Sequence, residues 1–237
     1  MRSLTGPFGL VRTARHVTAA PTGFTHLRWV AAQLEVANLL ATRGSQLFPD
    51  APPADLDPVR WAPETHGFDT APHCLAFAYN KMVTKACGPG VFARMYRDDS
   101  IACRCLQQAR NGWTPQLLRV AFERDGLIPL QLTRQLQRPR RGCWPVALFC
   151  NLRRNEWHLT RMDADGGWSD KPGEHDPRRI FAPGTTDGRR LLMYRNPVDQ
   201  KRAGFVGFFL VISESLTASV AHPVEPESET ASWLETE

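Results

Sequence analysis

With 237 residues, 42% of them hydrophobic, the chain can bury one core of moderate size, and no apolar run approaches the roughly 18 residues that a membrane-spanning helix needs. The formal net charge is +5, from 29 Lys+Arg against 24 Asp+Glu, but His222–Glu237 holds five Glu and no Lys or Arg, which puts −5 on that tail and +10 on the rest. Six cysteines in a chain of this size do not call for a disulfide framework, and the first residues lack the apolar segment of a secretory signal, so free thiols in a reducing, cytoplasmic or host-intracellular compartment are expected.

Residues 1–24 mix Gly, Pro, Thr and Ser with arginine and read as a disordered basic arm. From Thr25 to Arg43, Leu27, Val30, Ala31, Leu34, Ala37 and Leu40 recur at helical steps, and Gly44 is expected to end that helix. A proline-rich connector follows from Pro49 to Pro63. A second helix is expected from about His73 to Met82, with Asp69 or Thr70 as its cap and Pro72 in its first turn. A third begins at Thr114-Pro115 and ends before Gly126.

The second half changes to strands. Cys143–Leu152, Glu156–Asp163, Gly167–Gly173 and Gly204–Ser213 read as four of them, with RLLMY (Arg190–Tyr194) as a further short piece. The turn sequence DADGG, Asp163–Gly167, joins the second and third into a hairpin. Helices followed by an antiparallel sheet give an α+β domain over residues 25–215, with 216–237 as an acidic flexible tail.

Three residues carry the chemistry of this reading. Cys74 falls in the first turn of its helix, where the helix dipole and unpaired N–H groups favour a thiolate. His158 is the histidine set in an alternating strand, with Trp157, Leu159 and Arg161 pointing to one side and His158, Thr160 and Met162 to the other. A base needs a group that orients its second ring nitrogen, and Asp170 on the neighbouring strand can supply one. A three-residue loop Asp165-Gly166-Gly167 would set His158 opposite Glu174 and keep Asp170 on the face of His158. Asp176 and Asp187 are the competing candidates.

HCLAFAYN (His73–Asn80), RDGLIP (Arg124–Pro129), PVALFC (Pro145–Cys150), EWHLTRMDADGGWSDKPG (Glu156–Gly173) and RAGFVGFFLV (Arg202–Val211) occur in an order that resembles a poorly characterised group of papain-like-fold proteins of bacteria and large DNA viruses, distantly similar to cell-wall amidases and endopeptidases of the NlpC type. The resemblance covers about residues 70–212 and implies a papain-like fold, with the family's cysteine on Cys74 and its strand histidine on His158. Three departures stand out: His73 replaces an asparagine, the family's tyrosine two residues after the cysteine has no counterpart, and Asp170 replaces a histidine in a family pattern ending SHKPG. The expected function is a thiol hydrolase or acyltransferase acting on a peptide or amide, with Cys74 as nucleophile, His158 as base and Asp170 as the residue holding the ring. The rival is a non-catalytic interaction protein that keeps the fold and binds a partner through its basic face.

No cofactor is expected. Cys103-x-Cys105 has too short a spacing for structural zinc, and no phosphate-binding glycine loop is present. The pairs Arg140-Arg141, Arg153-Arg154, Arg178-Arg179 and Arg189-Arg190 lie in expected loops and read as solvated residues, with a basic rim for an anionic substrate or nucleic acid as the alternative; aromatic interleaving is slight and no nucleic-acid module is present.

Overall fold

The computed structural model describes residues 26–62, 73–81, 88–91, 93, 99–130, 142–173, 175–184, 188–192, 194 and 204–213. The expected basic arm and acidic tail lie outside these residues, as do Asp69, Thr70, Pro72, Arg140, Arg141 and Asp187. In chain order the described elements are α1 (His26–Leu47), α2 (Cys74–Ala78), α3 (Ser100–Gln108), α4 (Pro115–Arg124), β1 (Ile128–Pro129), β2 (Cys143–Asn151), β3 (Glu156–Met162), β4 (Trp168–Asp170), β5 (Arg178–Phe181), α5 (Gly188–Leu192) and β6 (Gly204–Ile212). The strands form one six-stranded sheet in the order β1-β6-β2-β3-β4-β5, every neighbouring pair antiparallel. The architecture is α+β. Among the described residues no helix is long and apolar enough to cross a membrane.

Both faces of the sheet are covered, which is why β2 is an unbroken apolar run buried from Cys143 to Cys150. On one face Arg161 meets α2 and Trp157 packs edge-on against Phe122 of α4. On the other, α1 crosses β3 so closely that a Cβ on Gly44 would stand 2.6 Å from the sulfur of Met162. That contact explains a departure from expectation: Gly44 does not end α1, which runs on to Leu47, but admits the strand beneath it.

Helix α4 forms as its sequence dictates. The Thr114 hydroxyl accepts the Leu117 N–H at 3.2 Å, Pro115 takes the first position, and Gly126 turns away at φ +102°. Helix α3, which the sequence reading left unassigned, is capped by Asp99, whose Oδ1 accepts from the Ile101 and Ala102 N–H groups at 2.8 and 3.1 Å. Cys103 and Cys105 both sit on α3, where two residues of separation turn their side chains about 200° apart.

Two elements correct the sequence reading. RLLMY is not a strand: Arg190–Leu192 belong to α5, with Leu191 buried on the helix and Tyr194 buried just beyond its end. The strand of this region is β5, four half-buried residues led by two arginines, a pattern with no apolar alternation to read.

The hairpin between β3 and β4 forms with a three-residue loop one step earlier than expected. Met162 pairs with Trp168, Arg161 with Ser169 and Thr160 with Asp170, and the Asp163 N–H donates to the Gly167 carbonyl at 2.9 Å across Ala164-Asp165-Gly166. The register that set His158 opposite Glu174 is therefore shifted by two, and Glu174 itself lies outside the described residues. The loop length, and with it the parity, is kept, so Asp170 still lies on the face of His158 and is now its diagonal neighbour. Gly166 takes φ +82°, as this loop requires. Gly167 is needed for space: a Cβ there would lie 2.0 Å from Arg179 Nη1 and 2.9 Å from the Phe181 carbonyl. Gly167→Ala is expected to destabilise the fold by about 1–3 kcal/mol, read as a lowered urea midpoint at unchanged slope.

Candidate active site

Cys74, His158 and Asp170 come from three elements, and the structure brings them together. Cys74 is the first residue of α2 and is buried, 6% exposed, with His73 as the helix cap in extended conformation. The helix is half the expected length, because Asn80 leaves it at φ +53°. One and a half turns do not hold themselves in water, so contacts at the far end must fix the helix.

Those contacts are complete. The Leu75 and Ala76 carbonyls accept from the Tyr79 and Lys81 N–H groups, each at 3.0 Å; the Ala78 carbonyl accepts from Trp144 Nε1 at 2.8 Å. The Phe77 carbonyl accepts from Asn80 N–H and from Arg161 Nη1, both at 3.0 Å. Arg161 is buried with its guanidinium 3.8 Å from the centre of the Phe77 ring and also donates to Asn80 Oδ1 at 3.1 Å. Its charge is met by the buried Asp163 at 3.0 Å, which accepts further from Ser169 Oγ at 2.7 Å and Arg179 Nη1 at 3.1 Å. Burial lowers the Arg161 guanidinium to about 10 and raises the Asp163 carboxyl, in each case against the pull of the partner's charge.

The hairpin thus works on both faces. Arg161, Asp163 and Ser169 grip the end of the helix that begins at Cys74, while His158 and Asp170 lie on the reverse side. Among the described residues, the pairing of β4 with β3 ends at Thr160 and Asp170, two residues short of His158. The start of α2 comes up beside that end of β3. His73 meets the ring of Trp157 edge-on at 6.5 Å, and Cys74 comes near enough to the His158 imidazole for its sulfur to act on the charge of that ring.

The imidazole is held from its other side as well. His158 Nε2 lies 3.0 Å from Asp170 Oδ2, which leaves Nδ1 for the sulfur. Burial works against the charged ring, but the hydrogen bonds and charges of Asp170 and Cys74 outweigh it and lift His158 to about 9. Asp170 is wholly buried. Burial alone would raise its carboxyl, yet His158, then Tyr194 and Arg178, hold it below the ordinary carboxylate range. Arg178, its cross-strand partner on β5, donates from Nε to Oδ1 at 2.9 Å, and the Tyr194 hydroxyl donates to Oδ2. Burial first, then the Asp170 charge, keep the Tyr194 phenol protonated. Burial, aided by Lys171, lowers the neighbouring imidazole of His73.

Of the other candidates for the third position, Asp176 is exposed on its loop. The arginine pairs divide. Arg153 and Arg154 are exposed at the tip between β2 and β3, as expected, but Arg178 and Arg179 are not a solvated rim: both turn inward onto buried carboxylates. Sequence reading missed Arg178, Tyr194 and the grip of Arg161. The one available signal was Arg161 and Asp163, two apart on one strand face and flanked by buried positions, which fits an ion pair turned into the core. No family model matches the chain, and no match is found among curated proteins or solved structures.

Proposed function

We propose that the protein is a thiol hydrolase or acyltransferase of papain-like fold, acting on an amide or peptide carbonyl. One observation carries this reading: the His158 imidazole is bonded to a buried, ionised aspartate and is raised further by the sulfur of a cysteine at a helix start. The Cys74 sulfur attacks the carbonyl carbon, forming the C–S bond and an oxyanion. The backbone N–H of Cys74, which as a first-turn group has no helix carbonyl to donate to, supplies one donor for that oxyanion. His158, protonated and held by Asp170, gives its proton to the leaving nitrogen as the C–N bond breaks, leaving a thioester. Water or an acceptor amine or alcohol then attacks, His158 taking its proton, and the thiol is released.

The test uses an activated ester, p-nitrophenyl acetate, and mass spectrometry of the acylated protein. An acetyl group is expected on Cys74 ahead of the other thiols, with nitrophenol release slowed about 100-fold or more in His158→Ala. Acetylation spread evenly over the cysteines, indifferent to His158, contradicts the reading. The burial of Cys74 favours one alternative, a binding module that keeps the fold and contacts a partner through its basic face. That reading requires the even outcome.

A further inference from the structure

We infer that Tyr194 is a positioning residue for this site: its ring clamps the plane of the His158 imidazole and shuts water away from the His158–Asp170 bond, and its hydroxyl anchors the ring there. The inference rests on the pairing of Cys74 with His158. Tyr194 is buried, with its ring nearly parallel to the imidazole, 11° between planes and 5.8 Å between centres. Phe149, the cross-strand partner of His158 on β2, lies 4.8 Å from the same ring. A single side chain therefore spans three adjacent strands, touching Phe149 on β2, His158 on β3 and Asp170 on β4.

The hydroxyl distinguishes this from core filling. A phenylalanine would fill the space, whereas a buried hydroxyl destabilises unless it is bonded. The Tyr194 hydroxyl is bonded to Asp170 Oδ2, the same oxygen that receives His158 Nε2, while Arg178 holds Oδ1. Three donors from three segments fix the direction of the carboxylate, and the carboxylate fixes the ring. The groups facing the imidazole are Asp170 from β4, Cys74 from α2 and the phenol itself, with Arg178 behind the carboxylate.

The experiment compares the full chain with Tyr194→Phe and Tyr194→Leu, reading the NMR titration midpoint of the His158 ring and the rate of Cys74 alkylation by iodoacetamide. Tyr194→Leu keeps apolar volume but loses both the planar cover and the hydroxyl. Its His158 midpoint is expected to fall by about one unit or more as water screens the pair, with alkylation slowed about tenfold. Tyr194→Phe keeps the cover but takes one donor from Asp170, and should fall between the wild type and Tyr194→Leu in both measurements. A folded Tyr194→Leu protein that titrates and alkylates as the wild type overturns the inference and leaves Tyr194 as core. A wild-type His158 that titrates near its ordinary ~6.5, beside a Cys74 no faster than a free thiol, removes the pairing itself and this role with it.

Discussion

Asp170→Asn should slow the alkylation of Cys74 by about a hundredfold and bring the His158 midpoint from about 9 down to ~6.5 or below. The amide keeps the shape but removes the charge, and the burial of the ring then works unopposed by Asp170. The same change should reshape the dependence of stability on pH. In the wild type the folded value of His158 lies above its unfolded value, so the folded state holds that proton more tightly. Its contribution is fully present below about pH 6.5 and is lost as pH rises through about 9, with an upper bound on the order of 3 kcal/mol. Asp170 has the opposite sign: its depressed value contributes above about pH 4 and is lost as pH falls below that. Urea midpoints across this range should show a stability plateau between the two limbs. In Asp170→Asn the alkaline decline should largely vanish. An alkaline limb of full size in that variant would mean the proton belongs to another group.

Arg161→Met should destabilise the protein by about 3–5 kcal/mol, the largest stability effect expected here. The substitution leaves Asp163 buried with Arg179 and Ser169 but without its nearest cation, and strips the Phe77 carbonyl and Asn80 of a donor. Removing both charges, Arg161→Met with Asp163→Leu, should be less damaging than Arg161→Met alone, because no uncompensated carboxylate is then left in the core. Denaturant unfolding of the two variants side by side tests this ordering. Where the single variant stays folded in the cold, Cys74 should alkylate more slowly although Arg161 stands on the face opposite His158. That result would separate positioning of α2 from direct chemistry; an unchanged rate would show that α2 is held elsewhere.

Much of the hairpin was readable because its signals are local. DADGG dictates a tight turn, the alternation in EWHLTRM marks a two-sided strand, and parity alone keeps Asp170 on the face of His158 even though the register differs by one loop position. The helix after Thr114-Pro115 was readable for the same reason. What escaped depended on tertiary partners. Gly44 looks like a helix end until Met162 is seen beneath it. The α2 helix looks ten residues long until Asn80 turns away and Arg161 takes the Phe77 carbonyl. RRIF has no apolar alternation because its arginines serve buried carboxylates rather than solvent. Tyr194 belongs to a short apolar run that reads equally as strand or helix, and nothing local to it points at Asp170, 24 residues away in sequence.

The chemistry proposed for this site requires the Cys74 sulfur to act on the ring of His158. NMR titration of His158 in the intact protein and in Cys74→Ala decides whether it does. A midpoint near 9 is expected in the intact protein and a lower one in Cys74→Ala, because the sulfur's hydrogen bond and charge both raise the ring while Asp170 stays in place. A midpoint identical in the two proteins would place the sulfur out of reach of the imidazole and leave the cysteine without a base.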